Sequence, residues 1–124
     1  MITLALLSLG QLYLGAYESK IGQLGAGGLL TSITLGSQGE YQYRHRGCFS
    51  NVVATGSFCG SPGSISLLPP DSFSGGGGAW KADRRFRIVP FKGSMYLVEE
   101  KDWDLFSELA RKGKVDGSSF FVKG

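Results

Sequence analysis

Hydrophobic and polar side chains alternate through the middle of the chain. In Thr31–Leu35 the apolar-leaning positions fall on odd numbers. Tyr41, Tyr43 and His45 keep that parity, while Glu40, Gln42, Arg44 and Arg46 take the even positions. A period of two marks half-buried β-strands. The connection between the two segments sets how they pair. A two-residue loop at Ser37-Gln38 would place Leu35 against Glu40 and mismatch the faces, whereas a three-residue loop of Ser37-Gln38-Gly39 sets Leu35 opposite Tyr41 and Ile33 opposite Tyr43. The third residue of such a loop is left-handed, a conformation open to Gly39 without steric cost.

Downstream, Ser61-Pro62-Gly63-Ser64 has Pro and Gly where a type II turn needs them. The turn sets Phe58 opposite Leu67 and Gly60 opposite Ile65, with Cys59 and Ser66 on the other face. Pro69-Pro70 is expected to end that strand, because neither residue can donate to a ladder. A third hairpin is expected over Arg84–Phe91 and Met95–Val98 around Lys92-Gly93, with Pro90 making its first strand an edge candidate. The period then changes. Trp103, Phe106, Leu109 and Ala110 recur at three and four, predicting one amphipathic helix over Asp102–Lys112. Asp102 is a suitable N-cap, Asp104 and then Arg111 and Lys112 complement the helix dipole, and Gly113 terminates the helix. Phe120–Val122 adds a short final strand or a docked tail.

The fold class predicted is mainly β: one domain over 1–124, with an antiparallel meander over 12–98, a helix over 102–112 and a tail over 113–124. The meander forms a curved sheet or small, partly closed barrel, and the helix either plugs an open end or packs across the sheet. The first 16 residues are apolar enough for a strand or a short helix, and both readings stand. No Lys or Arg precedes Lys20, so the basic region of a signal peptide is missing and a cytoplasmic location is favoured. The stretch is too short and interrupted for a membrane span.

Composition narrows the function. Glycine accounts for 20 of 124 residues, but hydrophobic residues reach 42% and charged residues only 19%, which excludes a disordered chain. Thirteen basic and ten acidic side chains leave +3, a mild excess for a nucleic-acid binder. The distribution is uneven. Arg84, Arg85, Arg87 and Lys92 make a candidate basic surface patch, and Glu99, Glu100, Asp102, Asp104 and Glu108 follow as an acidic block. Cys48 and Cys59 could form a disulfide in an exported protein or remain free thiols; with His45 as the single histidine, no zinc site is expected.

No nucleophile elbow, phosphate-binding P-loop or metalloprotease motif occurs, and no metal or cofactor is implied. Gly22–Gly28 looks only loosely like a phosphate loop, because a strand-like segment follows it instead of a helix. Tyr41, Tyr43, Phe58, Phe86 and Trp80 could line a barrel mouth or stack on bases. Parity, however, puts Arg44 and Arg46 on the face opposite the tyrosines, which argues against a nucleic-acid platform.

Gly15-Ala-Tyr17 resembles the G-x-Y opening of lipocalin-like small β-barrels. Gly39-Glu-Tyr-Gln-Tyr43, Arg46-Gly-Cys48, Gly56-Ser-Phe58 and Ile65-Ser-Leu67 resemble the successive meander strands of small bacterial proteins of that type. Phe91-Lys-Gly-Ser-Met-Tyr-Leu-Val98 resembles their closing hairpin. The resemblance implies a barrel fold, a ligand- or partner-binding role and no catalytic residues. The expectation is therefore a non-catalytic domain binding a small apolar ligand or a protein partner. Tyr41, Tyr43, His45, Phe58 and Leu67 would line the concave face, and His45 with a tyrosine hydroxyl would supply the polar contacts. The alternatives are an inhibitor or immunity-type protein using a charged patch and, less favoured, a nucleic-acid-binding OB-like barrel.

Overall fold

The computed structural model describes residues 13–19, 30–47, 51–61, 63–75, 78–115 and 120–123. Four sequence expectations fall on residues outside this set: the conformation of the chain before residue 13, the Gly22–Gly28 loop, Cys48 and the Pro62 position of the type II turn.

Among the described residues, nine strands form one sheet: β1 (Gly15–Ser19), β2 (Leu30–Leu35), β3 (Glu40–Arg46), β4 (Asn51–Ser61), β5 (Ser64–Leu67), β6 (Ser72–Ser74), β7 (Arg84–Phe91), β8 (Ser94–Glu99) and β9 (Phe121–Lys123). The order β3-β2-β1-β9-β8-β7-β5-β4 closes on itself through β3–β4 pairing. The result is a closed, fully antiparallel eight-stranded barrel, with β6 as an extra strand on β4. The curved or partly closed meander expected from the pattern is thus complete. The closing stave is β9, which pairs with both β1 and β8. Closure leaves none of the eight strands as an edge.

The registers read from parity hold. Leu35 faces Tyr41 and Ile33 faces Tyr43 across β2–β3, and Gly39 has φ +81°. Phe58 faces Leu67 and Gly60 faces Ile65 across β4–β5. One proline expectation holds and one changes. β5 ends at Leu67, before Pro69-Pro70 as expected, and a separate strand, β6, then pairs with β4 at Ser72–Ser74. Pro90 lies within the closed wall, paired with Met95 on β8, but beyond Arg87, the last β7 residue with a β5 partner; its missing N–H removes no rung on that side.

Inward-facing side chains form one core. Tyr17, Ile33, Leu35, Tyr41, Ile65, Leu67, Phe86, Ile88 and Leu97 fill the barrel. Gly56 faces Tyr41 in register, and a Cβ there would lie 2.9 Å from the Tyr41 ring, so glycine makes room for the aromatic. A second core lies outside the wall. Helix α1 (Trp103–Arg111) follows a short 3-10 turn at Glu100–Asp102 and lays Phe106 and its neighbours on Tyr96, Val98 and Phe120. Of the two placements expected for the helix, packing across the sheet is the one adopted. Asp102 occupies the N-cap position but makes no side-chain capping bond. Gly113, at φ +67°, ends the helix, and the Lys114 N–H returns to the Leu109 carbonyl. With an inner and an outer core, β8 must be apolar on both faces: Leu97 points in, while Tyr96 and Val98 point out under the helix. Among the described residues, no helix is long and apolar enough to cross a membrane.

Candidate functional site

Antiparallel closure gives the barrel two unlike ends. The lower end carries the tight connections Gly36–Gly39 and Lys92-Gly93, and it is covered by Tyr13 and Leu14 just before β1. The upper end gathers the last residues of β1, β3 and β8 and the first residues of β2, β4 and β7.

The upper end is polar on the inside. Ser19, Thr31 and His45 are consecutive inward positions across β1–β2–β3, and Thr31 Oγ1 lies 2.8 Å from His45 Nδ1. On the opposite wall Arg84 starts β7 with the inward parity of Phe86 and Ile88. It makes a bidentate contact with Glu99 at the end of β8, with Nε–Oε2 at 3.1 Å and Nη2–Oε1 at 2.9 Å. Both partners are largely buried, with side-chain exposures of 23% and 16%. Burial works against the charged guanidinium, but the hydrogen bonds and charge of Glu99, helped by Tyr43, outweigh it and hold the Arg84 pKa above its ordinary value.

Trp80 completes this end. It precedes β7, and its ring stacks on Tyr41 at 6.0 Å and meets Tyr43 edge-on at 5.4 Å. The Arg84 guanidinium sits 5.0 Å from the Trp80 ring and 5.3 Å from the Tyr43 ring, an arrangement that favours the cation. Below it, the Tyr41 hydroxyl donates to the Leu68 carbonyl at 2.7 Å. Burial first, and then the carboxylate of Asp71, push the Tyr41 pKa up to about 12, against an opposing pull from Arg84.

All five residues expected on the concave face do face inward, but they do not form one cluster. Tyr41 and Leu67 are wholly buried packing residues. Phe58 belongs to the lower end, edge-on to Tyr13 at 6.4 Å. Tyr43 and His45 alone reach the polar upper end, where Trp80 joins them. Ser19 and Thr31 share this end without having been singled out by sequence, and Glu99, read there only as part of the acidic block, lies here too; strand parity was the available signal for each.

The expected basic patch is divided between two faces. Arg84 lies inside the barrel. Arg87 points outward, binding Glu100 at 2.7 Å and covering the Trp103 ring at 4.3 Å. That hydrogen bond raises the Arg87 pKa and lowers that of Glu100. Arg85 and Lys92 are exposed, in β7 and in the β7–β8 turn respectively. Two of the four cations are therefore matched by the acidic block, and the chain's charge clusters partly cancel each other. Cys59 is exposed and forms no disulfide among the described residues.

A groove of about 410 Å³ runs along the outer face of β2–β4, lined by Thr34, Gln42, Thr55 and Ser57 with Glu40 and Asp71. A smaller recess of about 250 Å³ opens beside Tyr13, Phe58 and Cys59. Among the described residues, no three His, Cys, Asp or Glu side chains are placed to hold a metal ion. No family model, curated protein or solved structure matches the chain.

Proposed function

We propose that this chain is a non-catalytic binding domain whose packed barrel serves as scaffold and whose small-molecule site is the upper end. The observation that carries this reading is the segregation of polar groups. The interior is apolar along most of its length, yet an ion pair, a histidine and an indole gather at one end of it. A few convergent polar groups against aromatic walls are what a small-ligand site requires.

The test is an amide and indole NMR titration with four single-ring fragments: benzamide, benzoate, benzylammonium and toluene. Binding at the upper end shifts the Trp80 indole signal and the Tyr43, His45 and Arg84 amides. Shifts confined to the lower recess, or no shift with any of the four, would overturn the reading.

A second reading, a protein partner docking on the wall, is favoured by the outer groove and its two carboxylates. It predicts benzylammonium shifts at Thr34, Gln42 and Thr55 instead. The inhibitor-type alternative is weakened by the pairing of Arg87 with Glu100. The nucleic-acid alternative is weakened by the exposure of Arg44 and Arg46 on the face opposite buried Tyr41.

A further inference from the structure

Strand β3 carries a charge gradient along its outward face. Glu40, Gln42, Arg44 and Arg46 take alternate positions, and all four are exposed. At a rise of about 3.4 Å per residue, positions 40 and 44 stand about 14 Å apart on that row. The flanking strands stand low: Thr34 and Thr55 lie beside Gln42, and Ser32 and Val53 beside Arg44. The groove of about 410 Å³ lies at the acidic end of the row, with both Glu40 and Asp71 in its lining. The Glu40 carboxylate lies over Gly36, in the space a side chain there would fill. Among the described residues, Glu40, Arg44 and Asp71 form no salt bridge, unlike Arg87, which holds Glu100.

Such a face is complementary to itself. A two-fold axis lying across the strands at Gln42 turns β3 end for end, so position 40 of one copy meets position 44 of the other, twice. Gln42 then meets its own symmetry mate, a place that suits a primary amide because it carries both donors and an acceptor. A foreign cation would need only the carboxylates. The reversal of charge along one outward row is what selects a second copy of this chain.

We infer that two copies meet on this face, β3 antiparallel on β3, with Arg44 of each seated in the groove of the other between Glu40 and Asp71. Guanidinium against carboxylate is the strongest pairing this surface offers. The barrel wall is convex, so about three strands per copy make contact, short of the ~800 Å² per partner of a stable complex. The dimer is accordingly weak and salt-sensitive, populated at about 0.1–1 mM protein and low ionic strength. The inference rests on the docking reading of the wall and is independent of ligand binding at the upper end.

Sedimentation velocity and amide NMR over about 0.02–1 mM protein test it. At low salt the sedimentation coefficient should rise towards that of a dimer, with shifts at Thr34, Gln42 and Thr55, and it should fall back at about 0.5 M salt. Glu40→Arg and Arg44→Glu each set like charges opposite one another and should each weaken association about ten-fold or more. An equimolar mixture of the two variants should recover most of the loss, because every contact between positions 40 and 44 is then opposite in charge. Amide spectra unchanged away from β2–β4 verify that each variant folds; should a reversal disturb the fold, Glu40→Gln, with a loss of about three-fold, replaces it. A monomer at every concentration, or either reversal associating as well as the parent, would overturn the inference. A mixture no more associated than its parts would overturn the antiparallel register. A chain that stays monomeric while argininamide shifts Thr34, Gln42 and Thr55 would assign the groove to a foreign basic partner and leave the docking reading intact. No shift at these positions with concentration or with argininamide would defeat that reading as well.

Discussion

The two ends of this barrel close the same tube by opposite means. At the lower end, Tyr13 and Leu14 cover the apolar interior, and the Tyr17 hydroxyl finds the Tyr13 carbonyl at 2.7 Å. At the upper end, the lid is Trp80 held between two tyrosines and a buried Arg84–Glu99 pair, and Ser19 Oγ and Trp80 Nε1 have no hydrogen-bond partner among the described residues. The lower end is organised for stability. The upper end retains polar groups that a purely structural closure would not need, because an apolar replacement of a buried ion pair is often neutral or stabilising. That contrast separates scaffold from site.

The largest expected effect breaks the lower end. Gly60 has φ +145°, and a Cβ there would overlap the Ser64 carbonyl oxygen and approach Ile65 Cα to 2.8 Å. Gly60→Ala should therefore destabilise by about 3 kcal/mol or more in urea unfolding. Gly63→Ala, where nothing lies within 4 Å of the new carbon, should stay within about 1 kcal/mol.

Next, the upper end can be made to resemble the lower one. Arg84→Met leaves Glu99 largely buried and unpaired and should cost about 2–3 kcal/mol. The double variant Arg84→Met/Glu99→Leu should recover most of that loss or exceed the parent. A double variant no more stable than the single one would show that the pair itself holds the end together.

A smaller effect compares two buried core tyrosines, Tyr17 bonded to the Tyr13 carbonyl at the lower end and Tyr41 stacked beneath Trp80. Burial, with Tyr13 adding to it, pushes the Tyr17 pKa up to about 12, as burial and Asp71 do for Tyr41. An unfolded tyrosine ionises near ~10. The native state therefore keeps these protons while the unfolded chain loses them, and the stability present below about pH 10 is lost as pH rises through about 12. Tyr17→Phe and Tyr41→Phe should each flatten that alkaline decline, at a cost near neutrality of about 1 kcal/mol for the hydrogen bond removed. An unchanged alkaline slope in both variants would rule these residues out as its source.

The smallest effect lies on the outer wall. Arg87–Glu100 is solvent-exposed, with side-chain exposures of 40% and 42%. Glu100→Gln should leave the urea midpoint unchanged at low and high salt, whereas Arg84→Met shifts it in both.

Much of the wall was legible before folding. The Leu35–Tyr41 and Phe58–Leu67 registers follow from side-chain parity and turn chemistry, and α1 follows from the spacing of Trp103, Phe106 and Leu109. The site was less legible. Reading Arg84, Arg85 and Arg87 as one patch overlooked that adjacent strand residues point to opposite faces, although parity with Phe86 and Ile88 would have turned Arg84 inward. Met95–Val98, an unbroken apolar run, shows no face of its own; both of its sides are buried only because the helix returns over the barrel wall. Trp80 lies in no periodic segment, so its place at a barrel mouth beside Tyr41 and Tyr43 was suggested by its aromatic character and not by pattern.

By itself the sequence determined the local geometry: strands, hairpin registers, the helix and its stop. These depend on backbone sterics and contacts between residues close along the chain. Only the tertiary structure decided that the sheet closes, because closure depends on β9 meeting β1 from the far end of the chain, with Tyr17 opposite Lys123. Closure also defines the two ends, and so it decides which polar residues share an interior and which face water.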